Sequence, residues 1–163
     1  MLMGHSFHGT HLKMFATSRE FMLRRYGIVR GEELAETFRR RGIAVYPRTL
    51  SETYPAGIIA NMFPGTPPSA HKIRTVAGMD SAVAASRRIL SLLRQSGIQG
   101  DLPAPPDMIS GQGSRRERYK RFEDSLDAVL CAVAALYHGE YGSSMVFSDG
   151  ENGYTVIPEP RFT

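Results

Sequence analysis

The segment from Ser114 to His138 sets the tightest limit on how this chain can fold. It reads as one long helix. Leu126, Val129, Leu130, Val133, Leu136 and Tyr137 cover one side of it, and Ala128, Cys131 and Ala135 form the other. A helix that is apolar all round expects cover on both sides. Its small-residue side allows a sheet to approach closely. Two aspartates, Asp124 and Asp127, stand in the N-terminal part of this segment, one turn apart and roughly 60° apart around the axis. A carboxylate beside buried surface is costly unless it is paired or bound to metal. The helix offers pairing cations of its own: Arg121 or Arg118 for Asp124, and Lys120 for Asp127, unless Asp127 caps something local.

The rest of the chain supplies further helices and short strands. Thr17 or Ser18 can cap a helix running to Tyr26, which Gly27 stops. A second helix is expected over 32–41, closed by Gly42. Ile43 to Tyr46 is a strand candidate. Leu50 to Tyr54 alternates Leu50, Glu52 and Tyr54 against Ser51 and Thr53, the period of a strand that Pro55 ends. A short helix over Ala56 to Met62 and a proline-rich loop over Phe63 to Ser69 follow. Asp80 can cap a helix over Ser81 to Gln95, which Gly97 closes. Residues 98–114 read as a loop. Met145 to Phe147 and Tyr154 to Ile157 flank a turn-rich stretch and predict a hairpin. Residues 1–16 read as irregular.

Composition fits one folded domain. At 163 residues the chain is long enough to bury a core, and 42% of it is hydrophobic with charges of both signs. No apolar run reaches the roughly 18 residues that a membrane span requires. The single cysteine, Cys131, excludes an internal disulfide and suits a small core residue in a reducing compartment. A cytoplasmic protein is therefore expected. The net charge is +4, with basic clusters at Arg24-Arg25, Arg39-Arg40-Arg41, Arg87-Arg88 and around Arg115 to Arg121. Such a balance permits nucleic-acid binding, although helical arginine runs are also common as solvated faces.

Five pieces in order carry a resemblance. They are Glu52-Thr53-Tyr54-Pro55, then Lys72, then Arg87-Arg88-Ile89-Leu90, then Asp124-Ser125-Leu126-Asp127-Ala128-Val129-Leu130-Cys131-Ala132, then Gly153-Tyr154-Thr155-Val156-Ile157-Pro158. Over roughly residues 17–158 the chain resembles the C-terminal two-thirds of a family of predicted RNase H-like nucleases that long carried only a domain-of-unknown-function label. The Asp-x-x-Asp-Ala helix is similar to the last catalytic helix of RuvC-type Holliday-junction resolvases. The resemblance implies an α/β fold with an RNase H-like core. It implies that Glu52, Asp124 and Asp127 are catalytic and bind Mg²⁺ or Mn²⁺, and that Lys72 meets a substrate phosphate. The chemistry would be phosphodiester hydrolysis at an oxygen-rich metal site.

The family pattern begins with about three strands, the first bearing a metal-binding Asp. This chain has no Asp before Asp80. The expected domain is therefore an RNase H-like fold lacking its usual N-terminal strands. Two functions remain open: a metal-dependent nuclease or a remnant of one, and a non-catalytic nucleic-acid-binding or interaction subunit that keeps the fold. The strand around Glu52 would lose its usual neighbour, and a bare strand edge invites pairing with another chain. A homodimer, or a partner chain covering the Leu50–Tyr54 edge, is expected on that ground. His5, His8 and His11, spaced three apart, suggest either a transition-metal face or an irregular tail.

Overall fold

The computed structural model describes residues 5–12, 18–44, 51–73, 78–104, 113–148 and 154–160. Among them are five helices and two small sheets, so the fold is mixed α/β. The elements are β1 (Ser6–Phe7), β2 (Thr10–His11), α1 (Arg19–Tyr26), α2 (Arg30–Arg40), β3 (Glu52–Thr53), α3 (Pro55–Met62), α4 (Met79–Gln95), α5 (Arg115–Gly139), β4 (Ser144–Ser148) and β5 (Tyr154–Pro158).

Local chemistry explains most boundaries. Ser18 caps α1 by accepting from the Phe21 amide, and Gly27 ends it in the left-handed region. Pro55 opens α3 as well as closing the strand before it, because a proline at the first helical position loses no hydrogen bond. Ser114 and Glu117 form a reciprocal capping box at the start of α5. The α4 helix starts two residues earlier than the Asp80 cap predicts, with Gly78 at its N-cap. The strand candidate at Ile43–Tyr46 fails where it can be followed: Ile43 and Ala44 are irregular, and residues 45–50 lie outside the described residues.

The main core joins three helices. Ile58, Ile59 and Met62 of α3 meet Ile89, Leu90 and Leu93 of α4, and Leu126, Leu130 and Val133 of α5. The larger sheet has the order β3-β5-β4, with β3 parallel and β4 antiparallel to β5. Against one face of that sheet lies α5, with Cys131, Ala134 and Ala135 opposite Ser51, Thr53 and Val156 across a hollow of about 40 Å³. The small-residue contact expected between this helix and a sheet is present. Full burial of α5 is not. Ala128 and Ala132 are exposed, because alanine gains little from burial and no described element covers them.

The N-terminus corrects another expectation. Residues 1–16 do not read as structured, yet Ser6–Phe7 and Thr10–His11 pair as a hairpin. His8 and Gly9 both take positive φ, 47° and 79°. Positive φ at both central residues is the signature of the tight turn whose twist matches paired strands. The hairpin buries Phe7 and Leu12 with Ala60 and Ile157 in a second apolar cluster. His5 packs edge-on against Phe7 and Phe147, its ring 4.6 Å and 4.9 Å from theirs. The three histidines therefore serve a hairpin and its packing, and among the described residues they form no metal-binding group.

The hairpin is an anchor rather than a tail, so Phe7→Ala should destabilise the protein by about 3 kcal/mol, the usual cost of emptying a buried aromatic site. Urea unfolding followed by circular dichroism measures this. An unchanged midpoint would show that the second cluster contributes nothing to stability.

Candidate functional site

Five charged side chains near the N-terminal half of α5 form a ladder of alternating sign. Asp124 accepts Lys120 at 2.8 Å. Lys120 also reaches Glu123 at 2.7 Å. Glu123 meets Lys72 at 3.4 Å, and Lys72 closes on the Asp127 carboxylate. The buried His71 ring completes the row, with Nε2 3.1 Å from Asp127 Oδ1. Helix geometry supplies four of these groups: Lys120, Glu123, Asp124 and Asp127 recur at three- and four-residue steps, so they stand side by side along α5. His71 and Lys72 come from the turn that follows the proline-rich loop.

A second set of bonds fixes that turn. The Ile73 amide donates to Glu123 Oε2 at 3.3 Å. The buried Tyr119 hydroxyl donates to the His71 carbonyl at 2.6 Å and lies 2.9 Å from Ser86 Oγ on α4. Helix α5 thus grips residues 71–73 through backbone as well as side chains. His71 Nδ1 is buried with no hydrogen-bond partner among the described residues.

The electrostatics follow from these contacts. Burial pushes the Asp127 carboxyl up, but hydrogen bonds from His71 and Lys72 outweigh it and hold the group below the usual carboxylate range. An ionised Asp127 makes His71 Nε2 the donor. The Asp124 and Glu123 carboxylates hold the Lys120 ammonium above the usual lysine range. Burial raises the Cys131 thiol, and the Asp127 charge one turn away raises it further; a thiol held neutral is a poor nucleophile.

The structure brings together two residues that the resemblance singles out, Lys72 and Asp127, although 55 positions separate them. Asp124 stands beside them through Lys120. Glu52 does not join. Successive strand side chains point to opposite faces, and Ser51 and Thr53 line the hollow under α5, so Glu52 projects from the other face. There it is exposed, and its Oε1 lies 4.0 Å from where a Cβ on Gly31 of α2 would stand. The pairing that α5 offers Asp124 also differs from sequence expectation. Lys120, not Arg121 or Arg118, is its partner, and Asp127 turns to Lys72. Glu123, His71 and Tyr119 escape sequence reading. A glutamate next to Asp124 looks like one more surface acid, and nothing local marks it as the buried member of the three.

A divalent ion needs oxygen donors converging from several directions. Here the α5 carboxylates already hold ammonium groups, Glu52 faces away, and no three His, Cys, Asp or Glu side chains gather as a metal-binding group among the described residues. The donors, as arranged, do not fit Mg²⁺ or Mn²⁺.

Asp127 should set an acid limb in the stability profile. Its folded pKa lies below its ordinary value of 3.8, so acidification favours the unfolded state, which binds the proton more tightly. The stabilisation is whole above about pH 4, the ordinary range of the group, and is lost as pH falls through the lower folded value. Asp127→Ala should cost about 2 kcal/mol at neutral pH, as expected for losing hydrogen bonds to a charged group, and should flatten that limb. Chemical denaturation at several pH values is the check. A variant with the wild-type acid limb would show that Asp127 is not its source.

No curated protein and no solved structure matches the chain. A family-level match does cover most of it, residues 15–151. The chain therefore belongs to the family described as "Protein of unknown function (DUF429)".

Proposed function

We propose that this chain is a nucleic-acid-binding subunit built on an RNase H-like core, without a working metal site of its own. The observation that carries the non-catalytic part is the ladder itself. A nuclease of this type needs carboxylates free to hold a cation, and here Lys72 and Lys120 occupy them. The order of the strand and helix motifs supports the core, as does the packing of α5 on a sheet in which β3 and β5 run parallel. The basic balance supports the partner: the sequence pI is about 9.5. Arg25, Arg41, Arg88, Arg94 and Arg116 are exposed, and no carboxylate lies within ion-pair distance of them among the described residues. Phosphate backbones recognise such a surface without a pocket.

A second reading, the metal-dependent hydrolase, is favoured by one observation. Lys72 and Asp127, which the resemblance assigns to substrate phosphate and metal, do meet in space.

One pair of measurements separates the two. Fluorescence anisotropy with labelled single-stranded and duplex oligonucleotides should show binding that weakens by roughly tenfold or more between about 50 and about 200 mM salt. Calorimetric titration with Mn²⁺ should show no binding heat, and the oligonucleotides should remain intact. Absence of binding at low salt would remove the nucleic-acid reading. Cleavage that requires Mn²⁺ and disappears in Asp127→Asn would put the hydrolase reading in its place.

A further inference from the structure

We infer that the outer face of α1, continued by α2 beside the open edge of β3, is where a second copy of this chain docks about a twofold axis. The inference is independent of the proposed function. Neither α1 nor α2 buries a residue. Phe21, Leu23, Tyr26 and Leu34 remain 44%, 40%, 58% and 55% exposed. An eight-residue helix without cover is marginal in water, and an Arg19–Glu32 ion pair at 2.7 Å links it to α2 through solvent-exposed groups that contribute little. The composition of α1, with three arginines, Phe, Met, Leu and Tyr and no lysine, is that of buried protein interfaces.

The occupant follows from charge and spacing. At 100° per residue Glu20, Phe21, Leu23 and Arg24 share an arc of about 160° on α1. Glu20 and Arg24 are both exposed and have no ion-pair partner among the described residues. Two copies of α1 lying antiparallel, related by an axis level with Met22, place Glu20 opposite Arg24 of the other copy, with Phe21 beside its own copy on one flank and Leu23 beside its own copy on the other. The Glu20–Arg24 pair forms twice and each apolar residue meets its own copy, so the face is complementary to itself, as a twofold interface requires. Acidic and basic residues at matching distances from one centre suit a second copy better than a polyanion, which Glu20 and Glu33 would repel.

A stable interface buries about 800 Å² per partner, more than α1 alone can offer. Leu34 on α2 and the bare outer edge of β3 extend it. The sheet order leaves that edge unpaired among the described residues. Gly31, at the start of α2, lies against Glu52 on the same strand, so the two surfaces adjoin.

Sedimentation velocity on the full chain tests this with charge reversals. The wild type should be a dimer at micromolar concentration. Glu20→Arg and Arg24→Glu should each weaken association about tenfold or more, because each juxtaposes like charges twice. The double variant Glu20→Arg/Arg24→Glu should recover the dimer, since the charges match again in reverse. Far-UV circular dichroism confirms that each variant is folded. A monomeric wild type overturns the inference. So does a dimer insensitive to both reversals, or a double variant no better associated than the single ones.

Discussion

One buried carboxylate organises the centre of this molecule. Glu123 sits on the inward side of α5, next to Phe122 and one turn before Leu126, with its side chain only 6% exposed. A charge there is tolerable only if ion pairs and hydrogen bonds satisfy it. Lys120 can satisfy it from the same helix. The remaining donors, the Lys72 ammonium and the Ile73 amide, must come from another segment. That requirement pins residues 71–73 onto α5. Asp127 then receives its cation, Lys72, and a His71 hydrogen bond from that segment rather than from its own helix. Removing Glu123 would leave two ammonium groups pressed together, which is why the ladder behaves as one unit and not as separate pairs.

Much of the fold could be read before any coordinates, wherever a local rule decides the outcome. Ser18, Gly27, Gly97 and Ser114 punctuate helices because caps and left-handed residues act over a few positions. The β4–β5 hairpin announced itself through alternating residues around a turn-rich stretch. The N-terminal hairpin did not. Its strands are two residues each, too short for alternation to register. What stabilises it is non-local: Phe7 and Leu12 against Ala60 and Ile157. The exposed alanines of α5 depart from expectation for a related reason. Apolar character permits burial, but only the presence of another element produces it.

The site was legible in part, and the division is physical. Lys72 and Asp127 stand out by their order among the motifs, and the fold joins them. Glu52 stands out equally, yet the pleat of β3 turns it to the face opposite α5. Strand alternation fixes which residues share a face with Glu52 but not which face meets the helix. That choice depends on β5, whose Val156 pairs with Thr53 and shares its hollow under Cys131. His71 carries no signal of its own in the sequence beside Lys72, although it is the more buried of the two.

Charge distribution connects the inward and outward halves of the molecule. Around α5 three carboxylates face two lysines, and the ionised Asp127 takes a hydrogen bond from His71, so acids are matched at close range. A polyanion approaching that ladder meets an excess of negative charge. The surplus of basic groups lies elsewhere, on exposed arginines of α4 and the start of α5. Under the proposed function, long-range attraction would act through these surfaces, while the acidic centre of the fold is closed by its own lysines. The closed ladder and the proposed polyanion-binding surface thus draw on different side chains of one small domain: Lys72 and Lys120 are held by the α5 carboxylates, and the exposed arginines lie outside that network.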